Sequence, residues 1–242
     1  MGQKSVKQGA MRVIGIIGGM SAESTVLYYA RLNAETRRRL GGLHSAKVVL
    51  WSVDFAEIEH MQSQGRWEDA GRLLAATAAD LERAGAEIIV LATNTMHKVA
   101  PAIEAAVSIQ FLHVADATAA KIRASGLRRP ALIGTRYTME EDFYIGRLRD
   151  KFGIDVLVPD AAERAEINRI IFDELCRGIT LENSRLRYIA IAESLKDTGA
   201  DSLILGCTEV GMLLNADNVP MPVFDTTLIH VDAALDWALG TD

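Results

Sequence analysis

Two residues stand where a short side chain could do acid–base chemistry. Cys207 closes the run Leu203-Ile204-Leu205-Gly206 and opens Thr208-Glu209, so it falls between the end of an apolar strand and a helix start. A thiol placed there is drawn below its reference pKa of about 8.5 toward the thiolate, the form that acts as base or nucleophile. Thr93 ends the comparable run Ile88-Ile89-Val90-Leu91-Ala92 and opens Asn94-Thr95. Its hydroxyl is a far weaker acid than a thiol. If the two faced each other across one cleft, they could reach a single carbon from opposite sides. The other cysteine, Cys176 in Glu174-Leu175-Cys176-Arg177-Gly178, reads as the last turn of a helix, where a thiol packs as a small apolar group.

Other chemistries lack their residues. Two cysteines, and five histidines without His-x-x-x-His spacing, declare neither a zinc site nor a disulfide framework. Gly18-Gly19 belongs to no full Gly-x-Gly-x-x-Gly and is followed by no phosphate-binding lysine. That turn suits a small anion held by backbone N–H groups better than a dinucleotide. No metal and no organic cofactor is expected. His97, His113, His230, Asp116 and Asp225 fall near strand ends, where polar groups support a site more often than they react. Gln62, in Glu59-His60-Met61-Gln62-Ser63-Gln64, reads as a solvated loop or helix end.

Periodicity supplies the scaffold around these groups. Short β-rich apolar runs at 13–17, 47–52, 88–91, 111–114, 131–133, 155–158, 203–205 and 223–224 read as strands. Between them lie helical patterns; Trp67, Ala70, Leu74, Ala78 and Leu81 form one apolar face, and Ile167, Ile170, Ile171 and Leu175 another. Strands that are apolar throughout, each followed by a helix, indicate parallel sheets covered on both faces, hence an α/β fold. The pattern also repeats. Gly85-Ala86-Glu87 through Thr93-Asn94-Thr95 aligns with Gly199-Ala200-Asp201 through Cys207-Thr208-Glu209, and Gly18 aligns with Gly134 at a nearly equal offset. Two similar halves are expected, with ligands bound beyond the carboxyl ends of the strands. Thr93 and Cys207 then occupy equivalent positions.

Length and charge bound the rest. The 242 residues fit one large domain or two of about 100–120 each. A formal charge of −6 gives no global positive field for nucleic acid. Arg37-Arg38-Arg39 reads as a solvated last helical turn complementing the helix dipole. No apolar run approaches the ~18 residues that span a bilayer. The polar segment 1–10 is no secretory signal and reads as a leader or an alternative start before Met11. Free thiols point to the cytoplasm.

Taken together, Gly18-Gly19-Met20-Ser21, Thr93-Asn94-Thr95-Met96-His97-Lys98, Gly134-Thr135-Arg136-Tyr137-Thr138-Met139 and Leu205-Gly206-Cys207-Thr208-Glu209 resemble the aspartate/glutamate racemase family. The resemblance runs from Met11 onward and is nearest to the enterobacterial type, through Gly41-Gly42-Leu43-His44-Ser45-Ala46 and Val53-Asp54-Phe55 as well. Cys-Thr-Glu sets it apart from the cell-wall glutamate racemases, whose stretch is Cys-Thr-His. The resemblance implies two pseudo-symmetric flavodoxin-like domains with the active site between them: 11–112 plus about 220–242, and 113–219. It implies a cofactor-independent homodimer acting on a small dicarboxylic amino acid by proton transfer at Cα. Cys207 would be the base for the L-enantiomer, with Thr93 opposite where the family usually has a second cysteine. Asn94, Thr95 and Thr208 would hold the α-carboxylate and amino group; Met20, Gln62, Thr135 and Thr138 would line the remainder, Gln62 near the side-chain carboxylate. The family often places a basic residue near Glu163; Ala165 and Glu166 offer none, which leaves Arg164 as the substitute. Two rivals share these residues. One is a related one-cysteine enzyme, of the maleate isomerase or arylmalonate decarboxylase type. The other is a dicarboxylate-binding module without catalysis.

Overall fold

The structure, a computed structural model, describes residues 11–241; the leader expected at 1–10 lies outside the described residues. Four parallel strands form the first sheet: β1 (Ile14–Gly18), β2 (Val48–Ser52), β3 (Ile88–Leu91) and β4 (Gln110–Leu112), in the order β2-β1-β3-β4. Ile14 lies opposite Val48 on one side and Ile88 on the other. The second sheet is β5 (Pro130–Gly134), β6 (Ser202–Gly206) and β7 (Val223–Asp225), also parallel, in that order. Strands β1, β3, β5 and β6 are buried at every residue, which is why each reads as an unbroken apolar run.

The strand expected at 155–158 shrinks to a single parallel bridge, Leu157 to Ala131. Leu157 donates to the Pro130 carbonyl at 2.9 Å and accepts from Leu132 N–H at 2.8 Å. Pairing stops there because Pro159 has no N–H to give. Asp160 then turns the chain into helix α8 (Ala161–Asp173) through a capping box with Glu163. With that bridge counted, the second sheet repeats the first sheet's order, and the two halves form a pseudo-symmetric pair of flavodoxin-like units.

The halves exchange helices. After β4, helix α5 (Val114–Ser125) leaves the first sheet and buries Val114, Ala115, Ala119 and Ile122 in the core of the second. After β7, helix α10 (Thr226–Leu239) returns and buries Val231, Ala234, Leu235 and Ala238 against Ile14, Ile16, Ile88 and Val90. The chain thus re-enters the first half at Asp225, which caps α10 by accepting from Thr227 and Leu228 N–H. At about 1.5–3 kcal/mol for each buried Val, Leu or Ile, these two helices lock the halves together. Arg39 adds to the lock. It ends α1 (Ala22–Leu40) half-buried, not solvated, and pairs with Asp232 at 2.8 Å and Asp236 at 2.5 Å on α10.

Two glycines let the strand ends converge. Gly19 has φ +92°, and a Cβ there would lie 2.1 Å from the Val53 carbonyl oxygen. A Cβ on Gly134 would lie 2.8 Å from the Gly206 carbonyl oxygen, so β5 and β6 meet closely where the polar loops begin. No helix among the described residues is long and apolar enough to cross a membrane.

Candidate active site

Beyond the carboxyl ends of both sheets lies a narrow cleft. The first half lines it with Met20 after β1, Phe55 and Gln62 on α2 (Phe55–Ser63), and Thr93, Asn94 and Thr95 after β3. The second half supplies Thr135 after β5, Ile171 and Phe172 on α8, Cys176, and Gly206 through Glu209 after β6. Thr93 and Cys207 therefore stand at matching strand ends on the two walls.

Of the residues expected in the site, Arg164 is absent from the wall, and so is Thr138. It lies behind Thr135, with Oγ1 3.0 Å from Thr135 Oγ1, which is itself 2.8 Å from Thr95 Oγ1 across the interface. Gln62 is not solvated. It is buried on α2, and its Nε2 donates to Met96 Sδ at 2.9 Å. Asn94 Nδ2 donates to Thr226 Oγ1 at 3.0 Å, and Thr226 donates onward to the Leu205 carbonyl at 2.8 Å. Asn94 Oδ1 is buried with no partner. A buried acceptor left empty costs about 1–3 kcal/mol, so a donor brought by a ligand gains there.

Glu209 organises the second wall. It is 2% exposed and accepts at both oxygens: Oε1 from Ser21 Oγ at 2.6 Å, and Oε2 from Thr208 Oγ1 at 2.6 Å and Cys207 Sγ at 2.9 Å. Ser21 belongs to the first half, so this carboxylate also ties the walls together. Cys176 Sγ lies 3.9 Å from Oε1. Cys176 sits in a one-turn 3₁₀ helix after α8 and lines the cleft, where a packed thiol was expected.

The electrostatics reverse one expectation. Burial, then the Glu209 charge, raises the Cys207 pKa well above its ordinary value. Cys207 leads into a short 3₁₀ turn, Thr208–Met212, rather than an α-helix. A single turn aligns too few peptide dipoles to offset a buried carboxylate two residues away. The resting thiol is protonated and donates to Glu209. Cys176 is shifted upward for the same reasons, burial first.

Three histidines support the first wall without reaching the cleft. His97 Nδ1–H donates to the Thr93 carbonyl at 2.7 Å and Nε2 accepts from Val114 N–H at 3.2 Å, which fixes a neutral tautomer. It holds the Thr93 backbone and cannot protonate the Thr93 hydroxyl. His230 Nε2–H donates to the Leu112 carbonyl, and Nδ1 accepts from Tyr28 O–H, both at 2.9 Å. His113 caps α5 by accepting from Ala115 N–H. Burial above all lowers all three pKa values, His97 well below the ordinary range, His113 to about 3 and His230 to about 4. Asp116 pairs with Arg147 and Lys151 away from the cleft. Arg164 is committed to Glu140 at 2.9 Å and to the Pro159 carbonyl at 2.8 Å. No lysine, arginine or histidine is among the residues that line the cleft.

Sequence reasoning missed Glu209, Ser21, Cys176, Phe55, Ile171 and Phe172. The Cys-Thr-Glu motif named Glu209, but its partner Ser21 lies 188 positions away.

Comparison with known proteins agrees with this architecture. The family model described as Asp/Glu/Hydantoin racemase matches residues 17–234. A Yersinia pestis structure described as that of a candidate Asp/Glu racemase is 52% identical, covering 95% of this chain and 100% of its own, with TM-score 0.88. An aspartate racemase homologue from Pyrococcus horikoshii OT3 is 36% identical, covering 94% of this chain and 99% of its own, with TM-score 0.82. Among curated proteins, the broad specificity amino-acid racemase RacX of Bacillus subtilis is 22% identical over 89% of this chain and 93% of its own length. The chain belongs to the Asp/Glu/hydantoin racemase family.

Proposed function

We propose that this chain racemises an α-amino acid by cofactor-independent proton transfer at Cα, in the cytoplasm and as a homodimer, with aspartate and glutamate as the family's reference substrates. The observation that carries the reading is the pair of unlike groups, Cys207 and Thr93, at matching strand ends of one cleft, with Glu209 accepting the Cys207 S–H hydrogen bond.

An amino-acid α-proton is a very weak acid, so its removal needs a positioned base and support for charge developing on the carboxylate. Cys207 first gives its S–H proton to Glu209, 2.9 Å away. The thiolate then takes the α-proton from the L-face, forming S–H, while the C–H electron pair moves into the carboxylate. Asn94, Thr95 and Thr208 hold that carboxylate and the amino group, and the empty Asn94 Oδ1 accepts from the ammonium. Thr93 stands on the other face. A proton delivered there inverts the centre; the hydroxyl is refilled from solvent and Glu209 releases the proton it took, so each group returns to its resting form. Met20, Gln62, Thr135 and, from behind, Thr138 shape the rest of the cleft.

The test is incubation of L-amino acids, aspartate and glutamate among them, in D₂O, read by NMR at Cα and by chiral chromatography. Deuterium at Cα with appearance of the D-enantiomer supports the reading. Binding without exchange leaves the non-catalytic module, and CO₂ released from an arylmalonate instead indicates the decarboxylase type.

A further inference from the structure

We infer that a second copy of this chain sits on the free edge of β2, pairing β2 of one copy with β2 of the other about a two-fold axis through Leu50. The inference rests on the homodimer of the proposed function and names its surface. The sheet order places β2 at one end of the first sheet, with β1 on one side and no strand among the described residues on the other. The Lys47 carbonyl accepts from Ile14 N–H at 2.9 Å, and Val53 N–H donates to the Gly18 carbonyl at 3.0 Å, so the odd-numbered residues of this stretch face β1. The N–H and C=O groups of Val48, Leu50 and Ser52 therefore point to the open edge.

That edge is apolar and unguarded. β2 reads Val-Val-Leu-Trp-Ser, with neither a proline nor a charged residue inside it. An edge of this kind adds another strand unless something blocks it. Leu50 and Trp51 are 43% and 46% exposed, and successive side chains point to opposite faces, so both faces of the sheet are open here. Helix α1 extends the surface. Asn33 Oδ1 accepts from Ala46 N–H at 3.1 Å, which turns that side of α1 toward β2. Val26 and Tyr29 share the side with Asn33 and are 66% and 53% exposed.

Charge selects the occupant. A two-fold axis makes the pair antiparallel, so the start of β2 in one copy lies against the end of β2 in the other. The start carries Lys47, and the end runs into Asp54 and Glu57. All three are exposed, and none is in an ion pair among the described residues. Each copy thus sets its basic end against the acidic end of the other, twice in one contact. A surface that complements itself in this way fits a second copy of the same chain.

Sedimentation equilibrium on the full chain tests this, because it reads mass whether or not an amino acid is turned over. The parent is expected to be a dimer. Trp51→Lys puts a charge at the centre of the contact and should raise the dimer dissociation constant about 100-fold or more. Lys47→Glu or Glu57→Lys alone should raise it about tenfold, and the two together should recover most of that loss, since each charge then meets its opposite on the other copy. Both residues are exposed, so these two variants carry the test even where Trp51→Lys disturbs the fold. A monomeric parent, or a dimer that none of the variants weakens, overturns the inference. So does a double variant no tighter than the weaker single one. The racemase reading is decided separately, by exchange at Cα.

Discussion

The two walls of the cleft are built on the same frame and carry opposite chemistry. On the first, β3 ends in the hydroxyl of Thr93, backed by three neutral histidines that bond to backbone and to Tyr28. On the second, β6 ends in the Cys207 thiol, backed by a buried carboxylate and a second thiol. The frame repeats because a parallel βα unit must bury the same apolar strand and open the same polar loop in each half. The side chains that occupy those loops are free to diverge. A symmetric scaffold therefore holds a thiol against a buried carboxylate on one side and a hydroxyl on the other.

Removing the thiol is expected to give the largest effect. Cys207→Ser is close to isosteric, and α-proton exchange is expected to fall by about 10³-fold or more while the thermal midpoint stays within a few degrees, because a thiolate is lost and packing is kept. Activity retained within tenfold would remove Cys207 from the chemistry.

The histidine backing of the first wall predicts acid lability. His97, His113 and His230 are neutral in the fold with lowered pKa values, whereas the unfolded chain takes up protons near pH 6.5. Their stabilisation is fully present above about pH 6.5 and is lost as pH falls, toward about 4 for His230 and about 3 for His113. Each histidine costs about 1.4 kcal/mol per pH unit across that window. Urea midpoints at pH 7.5, 6 and 5 measure the slope, and His230→Gln should flatten it; an unchanged midpoint down to pH 5 contradicts the assignment.

The contrast between local and distant features decides how much of the molecule was legible in its sequence. The buried strands were legible as unbroken apolar runs, and Thr93 and Cys207 from the repeat, because both features are local. The bridge at Leu157 stands where a strand was expected, but Pro159 and the Asp160 cap end it after one residue. The Phe55–Phe172 stack and the Ser21–Glu209 bond join residues more than 110 positions apart, and no local pattern announces them. Gln62 looked solvated among its polar neighbours. Only the helix that turns it inward buries it.

Glu209→Gln sharpens the second wall. The amide still fills the space but cannot take the Cys207 proton, so kcat is expected to drop about 10–100-fold with KM little changed, and to recover partly at high pH as the thiol ionises on its own. An unchanged pH profile makes Glu209 a structural bond only. Cys176→Ala is the smallest perturbation. Its thiol reaches Glu209 only at 3.9 Å, so exchange should stay within about threefold of the parent. A loss comparable to that of Cys207→Ser would mean the wrong thiol carries the base.

The central claim is that the first wall limits inversion because it offers Thr93 in place of a thiol. The inversion-to-exchange ratio of an L-substrate in D₂O measures this, from chiral chromatography and NMR on the parent chain and on Thr93→Cys. The parent should exchange its α-proton before it inverts, since Cys207 can return a solvent deuteron to the same face. Thr93→Cys places a competent acid opposite and should raise the ratio several-fold. An equal ratio in the two proteins contradicts the account, because the second face would then be served by some group other than Thr93.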